Sequence, residues 1–137
     1  MSLSLFIFVI GFIGASALRA AGASRCSETR LFHIYSPKET AQAAIKASKI
    51  MVFSKTHCPY CKKAKEAISA LTPMFSVVEL DVVIDGAEQQ AALLELTGQK
   101  TVPNIFIGGK HVGGCDATLA AIASGEFQKL ALLHVTL

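Results

Sequence analysis

Two cysteines separated by two residues, Cys58-Pro59-Tyr60-Cys61, carry the strongest chemical signal in the chain. The apolar run Ile50-Met51-Val52-Phe53-Ser54 stands just before them, and the helix-forming run Lys62-Lys63-Ala64-Lys65-Glu66-Ala67-Ile68 just after. That pattern predicts a strand feeding a helix with both thiols at the junction. A helix N-terminus offers unpaired N–H groups and about half a positive charge, both of which stabilise an anion such as a thiolate. With Cys58 as N-cap, Pro59 takes the first helical position, where its missing N–H costs nothing. Cys61 then lies one turn along, on the same side as Cys58 and further in. The first thiol is exposed and activated, and the second is placed to attack it. Lys55 and Lys62 flank the pair and favour a thiolate, whereas Lys63 and Lys65 read as a solvated helix face.

The elements that must hold this pair follow from local pattern. Ser36-Pro37-Lys38-Glu39 has the form of a capping box with proline at the first helical position, and it opens a helix that ends near Ser48. Its apolar side is Ala41, Ala44, Ile45 and Ala47. Residues 50–54 are nearly all apolar, as in a strand covered on both faces. The helix from Pro59 runs to about Leu71, with Ala64, Ala67, Ile68 and Leu71 at helical spacing, and stops before Pro73. A second strand spans Phe75 to Asp81. A helix capped by Asp85 carries Ala91, Leu93, Leu94 and Leu96 and ends at Thr97-Gly98. Val102 to Ile107 is a third strand, Gly108-Gly109 a hairpin turn, and Lys110 to Val112 a fourth strand antiparallel to the third. Helices follow over about 116–123 and 126–133. The first two strands flank a full helix, which makes them a parallel βαβ unit. The whole order, α-βαβ-α-ββ-αα, suits a small mixed sheet with helices on both faces.

A C-x-x-C pair has several chemistries. A structural zinc site needs about four ligands, and here a second pair is missing while Cys26, Cys115 and the four histidines are scattered. Haem attachment needs histidine after the second cysteine, where Lys62 stands. No metal is expected. A C-x-x-C that opens a helix inside a βαβ unit reads instead as dithiol redox chemistry.

The 137 residues suffice for one domain with a proper core. Much of the 52% hydrophobic content sits at the start, where Leu3 to Leu18 is almost wholly apolar. That run is short for a membrane span of ~20 apolar residues, and small residues suited to signal peptidase stand at 15–17, within it, and at 21–23, after it. Residues 1–23 therefore read as a targeting segment outside the fold, residues 24–35 as a linker, and 36–137 as the folded domain. A cleaved secretory signal leads to the secretory pathway; an uncleaved signal anchor and a mitochondrial presequence are the alternatives, and membrane contact is expected only if the segment stays. The net charge of +3, with no long Lys/Arg run, excludes a nucleic-acid-binding signature.

Three motifs in order, Thr56-His57-Cys58-Pro59-Tyr60-Cys61, Gly98-Gln99-Lys100-Thr101-Val102-Pro103 and Gly113-Gly114-Cys115-Asp116, resemble a dithiol glutaredoxin, in particular the secretory C-P-Y-C type of plants and algae. The resemblance covers roughly residues 36–135. It implies a thioredoxin fold with sheet order 2-1-3-4 and a cis bond before Pro103. It also implies a glutathione-dependent oxidoreductase that acts, as a monomer, on glutathionylated or disulfide-bonded proteins. Glutathione carries a carboxylate at each end, so its site needs cations or helix N-termini at both ends and a strand edge between. By resemblance, Lys55 and Gln90 hold the glycine carboxylate, and Thr101 and Val102 pair with the peptide backbone beside Pro103. The helix start at Gly114, Cys115 and Asp116 holds the other carboxylate, with Asp116 also available to the amino group, and Tyr60 flanks the groove. Cys58 is then the nucleophile and Cys61 the resolving thiol. The alternative is a binding protein in which the first cysteine and glutathione ligate a [2Fe-2S] cluster between two subunits. Pro59 weighs against it by stiffening the loop and removing an N–H near the thiol.

Overall fold

The structure, a computed structural model, describes residues 35–133. The targeting segment, the linker up to residue 34 and Cys26 lie outside the described residues. Among the described residues five helices and four strands follow in the order α1 (Pro37–Ala47), β1 (Ile50–Ser54), α2 (Pro59–Ser69), β2 (Ser76–Glu79), α3 (Gly86–Thr97), β3 (Asn104–Ile107), β4 (Lys110–Gly113), α4 (Cys115–Ala123) and α5 (Glu126–Leu133). The sheet order is β2-β1-β3-β4. β1 pairs in parallel with β2 and antiparallel with β3, and β3 pairs antiparallel with β4. This is the fold the motifs imply, with strand and helix ends trimmed by one to two residues at several places.

The α1 capping box forms as its sequence dictates. Ser36 Oγ accepts from the Glu39 N–H, and the Ser36 N–H donates to the Glu39 carboxylate at 2.8 Å. β1 is buried along its whole length, so its alternating side chains feed two cores. Ile50 and Val52 pack with Ala64, Ile68, Ile105, Ile107 and Phe127 on the α2, α4 and α5 side. Met51 and Phe53 pack with Ala41, Ile45, Leu80, Leu93 and Phe106 on the α1 and α3 side. There Phe53 and Phe106 meet edge to face, with ring centroids 5.9 Å apart, a geometry that suits the ring quadrupoles.

α3 buries only part of its apolar set. Gly86, Gln89, Ala92 and Leu93 are buried, whereas Ala91, Leu94 and Leu96 turn outward. Gly86 sets the helix phase. A Cβ there would meet the Leu80 carbonyl oxygen at 1.9 Å, so the bare backbone lets α3 press onto the end of β2. Gln89 satisfies its buried amide by donating to the Asp85 carboxylate at 2.9 Å. Asp85 stands at the predicted N-cap, but its carboxylate serves Gln89 and makes no side-chain cap hydrogen bond to the backbone. Leu71, predicted inward on α2, lies past the helix end and is exposed.

Candidate active site

Cys58 caps α2, as its position before Pro59 predicts. Its sulfur accepts from the Cys61 N–H at 3.4 Å. The preceding turn is closed by the Cys58 N–H donating to the Lys55 carbonyl at 3.1 Å. Cys58 is half-buried and Cys61 fully buried, so only the first sulfur meets solvent. Both are free thiols here, as is Cys115. Burial pushes the Cys61 thiol up to about 11, and the neighbouring Cys58 sulfur adds to this. The Lys55 N–H and the Ser54 hydroxyl act in the opposite direction. When Cys58 enters a mixed disulfide its upward push is lost, so Cys61 ionises more readily at the moment it is needed. In the reduced protein at neutral pH, mapping of iodoacetamide adducts by mass spectrometry is expected to find Cys58 alkylated and Cys61 spared, with Cys61 reacting only as the pH approaches about 11.

A second loop faces the sulfurs. The Val102-Pro103 bond is cis, and the Val102 carbonyl lies 3.9 Å from the Cys58 sulfur. Gln99, unremarked in the sequence beyond its place in the motif, holds this loop: its side-chain amide donates to the carbonyls of Thr101 at 2.9 Å and Pro103 at 2.8 Å. Gln90 donates to the Lys100 carbonyl at 2.9 Å, which puts it beside the same segment. Gly114 closes the other side, since a Cβ there would lie 3.5 Å from the Gln99 amide nitrogen and 3.6 Å from the Pro103 carbonyl. It precedes α4 as a cap without a side chain, leaving the first N–H groups of that helix unclaimed by any side-chain cap. Cys115 is buried, and its thiol is raised first by that burial and then by the Asp116 charge. Asp116 and Thr101 are exposed, Tyr60 is 61% exposed, and Lys55 is half-buried at the rim. The three motifs thus converge: Cys58 against the Val102 carbonyl, and the Pro103 carbonyl against Gly114. Two concavities of about 470 and 340 Å³ on the α4–α5 side include none of these residues.

The structure adds Asp81, which sequence pattern alone passes over as the end of a strand. Its carboxylate accepts from the Thr56 N–H at 2.9 Å, from the Thr56 hydroxyl at 2.5 Å and meets His57 Nδ1 at 3.2 Å. The Thr56 hydroxyl, then the Thr56 N–H and His57, hold the Asp81 carboxyl down to about 2. His57, though largely exposed, thus meets the residue just past β2. A carboxyl lowered on folding contributes stability above its unfolded value of 3.8 and loses it as the pH falls toward about 2. Thermal midpoints should accordingly place the wild type above Asp81→Asn at pH 5, with the gap closing between about pH 4 and pH 2.

A strand-to-helix dithiol beside a cis-proline loop, on a 2-1-3-4 sheet, defines a thioredoxin-fold thiol–disulfide oxidoreductase. A sequence profile described as Glutaredoxin matches residues 50–112. A glutaredoxin of Ricinus communis is 51% identical over 86 residues, covering 63% of this chain and 84% of its own. The crystal structure of a buckwheat glutaredoxin–glutathione complex superposes with a TM-score of 0.70 at 40% identity, covering 74% of this chain and 92% of that one. An oxidised glutaredoxin 2 from Chlamydomonas reinhardtii gives 0.68 at 41% identity, covering 74% and 95%. The chain belongs to the glutaredoxin family.

Proposed function

We propose that this protein reduces protein–glutathione mixed disulfides and protein disulfides, with Cys58 as nucleophile, glutathione as co-substrate and Cys61 as a resolving thiol. The observation that carries the assignment is the placement of the Cys58 sulfur at the α2 N-cap, 3.9 Å from the Val102 carbonyl. A peptide-like ligand paired with Thr101 and Val102 has its sulfur delivered to Cys58. The relative solved with glutathione supports the choice of ligand. Lys55 and Gln90 at one end, and the Gly114–Asp116 helix start at the other, supply the charge complement for two carboxylates.

In the first step the Cys58 thiolate attacks the glutathione sulfur of a mixed disulfide, and the protein thiolate leaves. A second glutathione thiolate attacks the glutathione sulfur now on Cys58, which releases glutathione disulfide and regenerates the Cys58 thiolate. On protein disulfides, Cys61 attacks Cys58 instead and leaves a Cys58–Cys61 disulfide for glutathione to reduce. The [2Fe-2S] reading is the weaker one, since Pro59 occupies the first helical position next to the sulfur. The deciding experiment is a coupled assay with a glutathione mixed disulfide, NADPH and glutathione reductase. Turnover that depends on both glutathione and Cys58 is expected; turnover independent of either overturns the assignment.

We place the protein in the secretory pathway on the apolar segment Leu3–Leu18 and the small residues after it, and infer that it acts as a monomer. Fractionation of a C-terminally tagged full chain tests the first point, since recovery in neither secretory membranes nor medium rejects it. Sedimentation of the domain tests the second.

A further inference from the structure

Cys58 closes a tight turn. Its N–H donates to the Lys55 carbonyl at 3.1 Å, which makes Thr56 and His57 the two central residues. A single backbone hydrogen bond defines such a turn loosely, since many turns persist without one. Here both central residues are also held from another strand. The Asp81 carboxylate accepts from the Thr56 N–H at 2.9 Å and from the Thr56 hydroxyl, and it meets His57 Nδ1 at 3.2 Å. The Asp81 side chain is 20% exposed and that of His57 74%, so the carboxylate is the sheltered partner and the ring the outer one. Asp81 is itself anchored on both sides. Just before it, the Leu80 N–H donates to the Ser54 carbonyl at 2.8 Å, which ties the chain to the end of β1. Just after it, the Val82 and Val83 N–H groups turn back to the Glu79 carbonyl at 3.0 and 3.2 Å. The Thr56 hydroxyl and N–H hold the carboxyl down to about 2, so it stays an acceptor at neutral pH.

We propose that Asp81 is a positioning residue for the nucleophile: it fixes both central residues of the turn that ends at Cys58, and so aims the Cys58 sulfur at the disulfide it attacks. The proposal rests on the disulfide exchange described above. In that step the Cys58 thiolate forms a bond to the glutathione sulfur while the bond from glutathione to the client protein breaks. The electron pair leaves on the client sulfur, which takes one proton from solvent. Attack needs three sulfurs in line, so a tilted turn is costly even when the thiolate is intact. A misplacement of about 1 Å can cost about 10²-fold. The other contacts on this sulfur are the Cys61 N–H at 3.4 Å and the Val102 carbonyl at 3.9 Å. The sheet order β2-β1-β3 puts Asp81, just past β2, and Val102, just before β3, on opposite sides of β1. The nucleophile is thus braced from both flanks. Charge gives no reason for a carboxylate here, because an anion near a thiolate disfavours it. What Asp81 contributes is geometry.

The test compares two rates on the full chain at pH 7, at a temperature where every variant is folded. The first is release of peptide thiol from a glutathione–peptide mixed disulfide in a single turnover. The second is alkylation of Cys58 by iodoacetamide, mapped by mass spectrometry, which needs a thiolate but no line of three sulfurs. Asp81→Asn replaces one of the two acceptor oxygens with a donor. It is expected to slow the exchange about tenfold or more and to leave alkylation unchanged or faster. Thr56→Val, which loses the hydroxyl and keeps the shape, should slow exchange in the same sense, and Thr56→Ser should restore it; this pair decides the matter where Asp81→Asn does not fold. Unchanged exchange in Asp81→Asn overturns the proposal. So does an equal slowing of both rates, which would make Asp81 a support for the thiolate rather than for its aim, or a Thr56→Ser protein as slow as Thr56→Val. A wild-type protein that is alkylated at Cys58 yet releases no peptide thiol would overturn the underlying activity instead, so the two failures are distinguishable.

Discussion

Cys58→Ser is expected to abolish turnover of a glutathione mixed disulfide, a loss on the order of 10³-fold or more, while Cys61→Ser keeps deglutathionylation at the same order as wild type. The asymmetry follows from exposure. Cys58 is half-buried and sits where α2 N–H groups and the Val102 carbonyl converge. A serine hydroxyl there cannot ionise at neutral pH and forms no disulfide, so neither step of the cycle has a sulfur to run on. Cys61 is sealed at 0% exposure with its thiol pushed to about 11. An external substrate does not reach it, and it enters only when Cys58 is already in a disulfide. The Cys61→Ser protein should therefore lose the reduction of dithiol substrates and retain the one-thiol route. The coupled assay run on both substrate types measures this. A Cys58→Ser protein that still turns over would remove the nucleophile assignment, and a Cys61→Ser protein inactive on glutathione mixed disulfides would make the second thiol obligatory.

Gly86→Ala is expected to be the most damaging conservative change outside the thiols. The added methyl would lie 1.9 Å from the Leu80 carbonyl oxygen and 2.7 Å from its carbon. Both are backbone atoms, so no side-chain rotation relieves the overlap and α3 must move off β2. Overpacking of this kind costs about 1–3 kcal/mol or more, which lowers the Tm of a domain this size by about 10 °C. The displacement should also reach the site. Leu80 precedes Asp81, and Asp81 holds Thr56 and His57 in the turn that presents Cys58. A lower Tm with a disproportionate loss of activity at a temperature where the variant is folded is the expected pair of results. Gly98→Asn is the comparison: Gly98 has φ of +73° with nothing within 4 Å, a left-handed helix end that Asn tolerates. A Gly86→Ala protein as stable as wild type would mean that α3 can rest elsewhere.

The parts of this fold that could be read in advance are those where local chemistry decides. The capping box at Ser36, the stop at Gly98, the apolar run of β1 and the Cys58-Pro59 helix start are each determined within a few residues, and each stands in the structure. The buried face of α3 was not legible because its apolar residues surround the helix, and the close approach of Gly86 to Leu80 rests on the absence of a side chain. Asp81 escaped because its partners are 25 residues away. The parallel register that pairs Ser54 with Glu79 carries the same offset; continued by two residues it sets Thr56 opposite Asp81, so the contact was implicit once the strands were paired. Gln99 serves two carbonyls across a cis-proline turn, a geometry that composition does not announce. Ser54 looked like the tail of an apolar strand, and only its burial without a partner sets it apart.

The two cores on either side of the sheet have a mechanical consequence. The chain enters the folded domain at α1, which packs on α3 and β1 and is pinned further by the ion pair of Lys38 with Glu95 at 3.0 Å. The cysteines belong to the opposite layer, with α2 and α4. The chain thus enters the domain on the side of the sheet away from the helix that carries the sulfurs, and α3 serves both sides, since its Gln90 holds the Lys100 carbonyl beside the cis-proline loop.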